Sequence, residues 1–332
     1  MTVVVSGVGV VLPRARSAPE LMAPELMAPA ADAPPVEPKD LVGRKGLRYK
    51  DRATQLAYCA ADAALRHAGL LDDGGGLRVP GRSVAVVASS NYGNLDTICR
   101  AIDTIAEHTA AAGSAMDLPN ASSNVIASSV AIRFGLRGPN LMLCNGATSG
   151  LDAVHWAATL IRGGRVPRAL VLGVEPDNAS VRAFTGGART IDGAAALVVE
   201  SEESAAERGA SAPAVLGDYV RGAGLGRCLE RLAAATGDRP ALWQLPEQWQ
   251  LPEQWQLPEQ RTAAVPDTLL AGVARHDLGE VFGLGSGALG VLQCAAAVGW
   301  FARGGAGPVY ATAGTDADDA SAGIALRGRA AA

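Results

Sequence analysis

Lysine is nearly absent from this chain: Lys39, Lys45 and Lys50 are its only three, and arginine supplies the remaining positive charge. No lysine ammonium is therefore available to any site built from residue 51 onward. Aromatic residues make up only 4% of the sequence, so a core of bulky rings is excluded and close backbone approach must do more of the packing. No run of Lys and Arg occurs and the formal net charge is -4, which argues against nucleic acid or an acidic membrane surface as partner. No stretch of 18 uninterrupted apolar residues provides a membrane span. The five cysteines, Cys59, Cys99, Cys144, Cys228 and Cys294, are odd in number and none forms a C-x-x-C pair. No charged segment followed by a signal-like apolar stretch is evident, so a reduced, cytoplasmic protein is expected. The four histidines show no metal-ligand spacing, and neither a metal nor a cofactor is expected.

Against these absences stand 40 glycines, abundant alanine and 48% hydrophobic residues in a chain of 332. Chains of about this length bury roughly 75% of their unfolded surface, enough for one large domain or two fused halves. The valine-rich run from Thr2 to Leu12 predicts a buried first strand, and Ser83 to Ser89 predicts another. Apolar spacing predicts a helix over 51–68 closed by Gly69, a second over 98–112 and a short third over 124–133 ending near Gly135. A strand over 141–143 should lead through the GATSG turn at 146–150 into a helix from Leu151 to about Ile161. Further strands are expected over 169–174, 194–200 and from Ala214. This alternation predicts a layered α/β fold.

Two tandem duplications interrupt the pattern. APELM occurs twice within residues 18–29 and is too rich in proline for a continuous helix, so an inserted loop is expected. WQLPEQ occurs three times over 243–260, placing Trp243, Trp249 and Trp255 six residues apart. Three six-residue copies cannot build a solenoid. The expectation is a surface insertion expanded by duplication, with a tryptophan-based docking element as the alternative.

Several segments together resemble the β-ketoacyl synthases. They are VVVSGVGVVLPR at the start, DRATQLAYCAADAALRHAGL at 51–70, NVIASSVAIRFGLRGPN at 124–140 with GATSG after it, and FGLGSGALGVLQCAAAV at 282–298. The resemblance implies a thiolase-like α-β-α-β-α fold made of two similar βα halves and shortened relative to typical ketosynthases. The halves would be residues 1–212 and 213–332, the second carrying the WQLPEQ insertion.

The same resemblance implies a site, and this sequence departs from it. Counting from Gly138-Pro139, the family's Thr-Ala-Cys triplet falls on Asn145, Gly146 and Ala147, so Ala147 stands where the nucleophilic cysteine is expected. A methyl group forms no thioester. The late glycine loop, Gly-His-Thr in the family, reads Gly283-Leu284-Gly285, with Leu284 in the histidine's place. The family's lysine before that loop has no counterpart, nor does its earlier His-Gly-Thr-Gly-Thr segment. Near the end, Gly314-Thr315-Asp316-Ala317-Asp318-Asp319 replaces a glycine-rich turn, and its three acids are expected to face solvent or a partner. Cys144 is read as a buried small hydrophobe rather than a substitute nucleophile. His67 and His155 are read as packed or surface histidines on helices, and His108 has no ligand neighbours. Ser149 has no histidine at a recognisable spacing.

A preserved framework with missing catalytic groups resembles the chain-length-factor subunit of type II polyketide synthases. That implies a non-catalytic subunit paired with an active ketosynthase, meeting acyl carrier protein through the complex and shaping the tunnel for the growing acyl chain. The expected wall and interface residues are Ile98, Ile102 and Ile105, which share a helical face, with Ala112, Gly113, Met116, Leu118 and Asn124. The alternatives are an acyl-processing enzyme with a rearranged nucleophile such as Cys144 or Ser149, and a homodimeric acyl-binding scaffold.

Overall fold

A computed structural model describes residues 1–23, 33–113, 117–248 and 268–329. In the first half, β1 (Val3–Val11) is followed by α1 (Pro38–Val42), α2 (Arg52–His67), β2 (Val84–Ser89), α3 (Leu95–His108), α4 (Asp117–Asn120) and α5 (Val125–Phe134). Then come β3 (Asn140–Leu143), α6 (Ser149–Arg162), β4 (Arg168–Glu175), α7 (Ala179–Phe184), β5 (Gly193–Ser201) and α8 (Glu202–Glu207). The second half holds β6 (Ala214–Gly222), α9 (Leu225–Thr236), β7 (Leu242–Gln244), β8 (Ala274–His276), α10 (Leu278–Phe282), α11 (Leu289–Ala302), β9 (Val309–Ala313) and β10 (Ser321–Gly328).

The strands run in the order β3-β2-β4-β5-β1-β6-β10-β9-β7-β8. Read outward from the centre, each half gives its first, fifth, fourth, second and third strand. The pairing senses repeat as well. β1–β5 and β4–β5 are antiparallel while β2–β4 and β2–β3 are parallel. β6–β10 and β9–β10 are likewise antiparallel, and β7–β9 and β7–β8 parallel. A short antiparallel contact, Val3–Val5 against Ala214–Leu216, joins the halves. The expected duplicated architecture is present.

Three apolar clusters fill the spaces between layers. One packs α2 and α5 against the first-half strands. A central one places α6 and α11 between the strands of both halves, and the third packs α9 against β6, β7, β9 and β10. The result is the α-β-α-β-α layering. Its paucity of rings is met by backbone proximity: a Cβ on Gly7 or Gly9 of β1 would lie 2.5 Å from Ala64 O or 2.2 Å from Ala60 O of α2. Between the two central helices, a Cβ on Gly150 would fall 2.6 Å from Gly290 N, and one on Gly290 would fall 2.3 Å from Leu151 N. Both central helices thus carry glycine at their second residue, where they meet.

Local signals account for most boundaries. Asp51 caps α2 by accepting from Thr54 N at 2.7 Å, and Gly135 closes α5 at φ 66°. The helix expected over 98–112 instead spans Leu95–His108, because Thr109 turns the chain at φ 71° and Ala110–Ala112 form a separate 3-10 turn.

Both duplicated segments depart from expectation. The first APELM copy is core: its Pro19–Met22 forms a 3-10 turn, and Leu21 is 1% exposed. The first WQLPEQ copy is core as well, since Trp243 and Gln244 belong to β7 and Trp243 is fully buried. Its indole Nε1 donates to Thr312 Oγ1 at 2.9 Å. Alternate residues of WQL suit a strand buried on both faces, a pattern that repetition at the wrong period disguises. Trp249 and Trp255 lie outside the described residues.

Candidate functional site: the elbow and the late glycine loop

β3 is an edge strand. Its end delivers Cys144 and Asn145 to the surface, after which Gly146 at φ 80° turns the chain through a 3-10 turn, Gly146–Thr148, into α6. Ala147 sits in that turn, half-buried, and presents only its methyl group. Cys144 is exposed, contrary to the expectation of a buried thiol, because β3 is the edge of the sheet among the described residues. Protein atoms still crowd the sulfur from within, and that partial desolvation, followed by the charge of Glu175, raises the thiol pKa. The setting works against a reactive thiolate.

The hydroxyl of Ser149 is buried and accepts from Asn145 N at 2.8 Å. It lies 2.8 Å from Gly146 O and 3.1 Å from Asn91 Oδ1, and no imidazole touches it. Its contacts brace the turn. Asp152, one turn further along α6 and 4% exposed, holds the same turn from below. It accepts from Thr148 Oγ1 at 2.8 Å, from Asn145 Nδ2 and from the hydroxyl of Tyr219 on β6, with Arg221 Nε at 3.6 Å. Burial first, then the hydrogen bond to Asp152 and its charge, raise the Tyr219 pKa. His155, for which the sequence offered no partner, stacks on the Tyr219 ring at 4.1 Å between centroids. Burial lowers its pKa. His67 accepts from Val8 N at 3.0 Å, and His108 is exposed beside Glu107.

The late loop closes over the elbow. After α10, Gly283 turns at φ 96° and Leu284 bridges to Thr190, donating to Arg189 O at 2.9 Å and accepting from Ile191 N at 3.1 Å. The half-buried Leu284 thus offers an aliphatic side chain in a loop whose backbone is tied down. Beyond it, Gly285, Ser286 and Gly287 approach the elbow. Asn91 joins the two, its Nδ2 donating to Gly146 O at 3.0 Å and to Ser286 Oγ at 2.9 Å.

Two carboxyl groups that sequence reasoning missed hold this assembly. Glu175 ends β4 at 0% exposure and accepts from Asn91 N (2.6 Å), Tyr92 N (3.1 Å), Gly287 N (3.0 Å) and Ser90 Oγ (3.0 Å). These donors favour the anion, but burial outweighs them and pushes its pKa up to about 8. Glu247, from the first WQLPEQ copy, accepts from Gly285 N at 2.5 Å and Ser286 N at 3.1 Å. Burial likewise raises it to about 7. An acid closing the apolar run ALVLGVE was a legible hint for Glu175. Glu247 was hidden by its two repeat copies. Among the described residues no group of His, Cys, Asp or Glu is arranged to hold a metal ion.

The acidic turn near the C-terminus does face solvent, as expected. Asp316 also accepts from Leu225 N at the head of α9, and Asp318 accepts from Thr315 N, both at 2.7 Å.

The expected wall residues divide into three sets. On α3, Ile98 is half-buried, while Ile102 and Ile105 are 60% and 53% exposed rather than packed on their own sheet. Ala112, Gly113 and Asn124 are exposed. Leu118 lies in α4, but its side chain, like Met116 altogether, lies outside the described residues. No helix among the described residues is long and apolar enough to cross a membrane.

Comparison with known proteins follows the same outline. Among solved structures, the chain is similar to the ishigamide ketosynthase/chain length factor, at 21% identity and a TM-score of 0.76 over 99% of this chain and 100% of that one. It is similar to a β-ketoacyl synthase from Burkholderia phymatum STM815, at 17% identity and 0.77 over 99% and 100%. It is also similar to a chain of AntDE:AntF, a type II polyketide synthase acyl-carrier protein in complex with its ketosynthase bound to the hexaketide, at 13% identity and 0.78 over 98% and 99%. No curated protein matches the sequence. Residues 38–205, half of the chain and the part that carries the elbow, match the family model of the β-ketoacyl synthase N-terminal domain, and the chain belongs to the β-ketoacyl synthase family.

Proposed function

We propose that this chain is a non-catalytic, chain-length-factor-like subunit that pairs with an active ketosynthase. The observation that supports this reading is Ala147 at the head of α6, where the family resemblance expects the nucleophilic cysteine and the sequence supplies a methyl group. Leu284 in the late loop and the absence of lysine beyond Lys50 point the same way, since neither decarboxylation nor acyl transfer has its proton donor. The buried Ser149 and exposed Cys144 alternatives weaken on contact detail: Ser149 is spent on bracing, and the pKa of the Cys144 thiol is raised. A subunit without catalytic groups still shapes a product by supplying apolar wall, at about 0.8 kcal/mol per buried methylene.

The partner would be a cysteine-bearing homologue, seated on the surface formed by edge strand β3 and the exposed face of α3. Leu141, Met142 and Leu143 on β3 are only half-buried, and Ile102 and Ile105 stand in solvent, which is costly to leave uncovered. Acyl carrier protein would be met through the complex. The two halves, 1–212 and 213–332, would act as one body in this assembly.

The test is reconstitution. The isolated chain should remain unacylated when incubated with acyl-carrier-protein thioesters, and should co-purify with a ketosynthase from the same source. In the pair, Ala112→Phe or Gly113→Phe should shorten the product while the partner's first acylation is little changed. Stoichiometric acylation of the isolated chain at Cys144, read by intact-mass spectrometry, would overturn the reading.

A further inference from the structure

Glu247 has no role in the function proposed above. It belongs to the first WQLPEQ copy, follows Pro246 at the end of β7, and puts both carboxylate oxygens on successive backbone amides of the late loop, Oε1 on Gly285 N at 2.5 Å and Oε2 on Ser286 N at 3.1 Å. The next amide, Gly287 N, donates to Glu175 Oε1 at 3.0 Å. Three consecutive N–H groups thus converge on carboxylates.

The backbone conformation explains how. Gly285 is right-handed, at φ -85° and ψ -27°, and Ser286 is left-handed, at φ 40°. That alternation turns successive amides to the same side and creates a concavity that binds anions. Left-handed serine is strained, and here the strain coincides with an anion held in place. The concavity adjoins the elbow, because Asn91 Nδ2 reaches both Ser286 Oγ and Gly146 O. Asp277 and Asp318 are acidic neighbours of Glu247, so their charge makes its anion harder to hold. The attraction that keeps Glu247 in place is therefore the amide pair.

We propose that Gly285–Gly287 is a carboxylate-binding nest beside the elbow, and that Glu247 is its built-in occupant, an autoinhibitory contact that closes the site to external carboxylates. The ligand class follows from the donors: two amides spaced for the two oxygens of one carboxylate. With Glu247 seated, a small carboxylate from outside finds both donors taken and meets a like charge. With Glu247 removed, the nest is open and accepts formate or acetate in its place. This inference concerns the chain alone and stands whether or not it pairs with a ketosynthase.

The test uses the full chain and formate as the probe. In Glu247→Ala, formate should raise the thermal midpoint saturably by roughly 2–4 °C. Wild type at the same concentration should not respond, and neither should the variant in sodium chloride of equal ionic strength. An absent response in the variant, or parallel responses in variant and wild type, overturns the proposal. Should Glu247→Ala not fold, Glu247→Gln carries the test, since an amide offers one acceptor oxygen where the nest presents two donors. Hydrogen exchange at Gly285 and Ser286 should then accelerate by about tenfold or more at one of the two amides. Unchanged exchange at both overturns the proposal.

Discussion

Replacing Trp243 by alanine tests whether the first WQLPEQ copy belongs to the core. The indole is fully buried with Leu232, Tyr310 and Ala325 in the cluster beneath α9, and Arg275 lies 5.1 Å from its ring centre. Truncating a buried tryptophan to alanine costs about 3–5 kcal/mol, including the cavity left behind. The hydrogen bond from Nε1 to Thr312 Oγ1 adds about 1 kcal/mol. The threonine hydroxyl keeps its contact with Gln244 O at 3.1 Å, so no orphaned donor enlarges the loss. Trp243→Phe retains most of the volume and should cost about 1–2 kcal/mol. Domains are stable by only about 5–15 kcal/mol, so the alanine variant should unfold at markedly lower urea concentration with an unchanged slope. Equilibrium urea unfolding followed by far-UV circular dichroism measures both. A loss below about 1 kcal/mol would refute the reasoning, and would mean that another copy of the repeat can take the β7 position.

Ile102→Arg with Ile105→Arg should abolish pairing with a ketosynthase, read by size-exclusion chromatography of the co-expressed subunits, while leaving the thermal midpoint of the isolated chain within a degree or two, since both residues are solvent-exposed. Ala147→Cys should restore no condensation in the isolated chain, because each missing acid–base group is worth roughly 10²–10⁴-fold; turnover of malonyl thioesters by that variant would contradict the account. Stability should fall as pH rises from about 4.5 toward 8. Glu175 and Glu247 have folded pKa values raised by burial, to about 8 and about 7, so the native state binds more protons than the unfolded one across that window. Each carboxyl contributes up to about 1.4 kcal/mol per pH unit there, and Glu175→Gln should flatten the slope of unfolding free energy against pH; an unchanged slope would sink the assignment.

The strands and helices were legible because apolar runs and periodicities are local properties. The 51–68 and 124–133 segments needed little more than their caps, Asp51 and Gly135. The end of α3 was not legible, because its stop is a threonine at φ 71°, a conformation that no local preference of threonine announces. The expectation of a degenerate elbow at Ala147, with Leu284 in the late loop, came from counting along a resembled pattern. The groups that hold it did not, because they meet across the fold: Asp152 with Tyr219, 67 residues apart, and Gly285 with Glu247, 38 apart. Cys144 was misplaced because its exposure depends on β3 being an edge, a fact of strand order rather than of sequence around the thiol. In both tandem repeats the first copy is core, and identical copies carry no mark that distinguishes a buried one.

The glycine contact between the central helices has an electrostatic consequence. Gly150 and Gly290 are the second residues of α6 and α11, so their meeting brings two helix N-termini together, each ending a 14-residue helix. Aligned peptide dipoles leave about half a positive elementary charge at each such end. Two ends sum to about one, which is the charge that one carboxylate supplies. Glu175, fully buried, accepts from Gly287 N just ahead of α11 and so lies close to one of these ends. The positive end of α11 therefore favours the Glu175 anion, as its hydrogen-bond donors do, and works against the burial that raises its pKa to about 8.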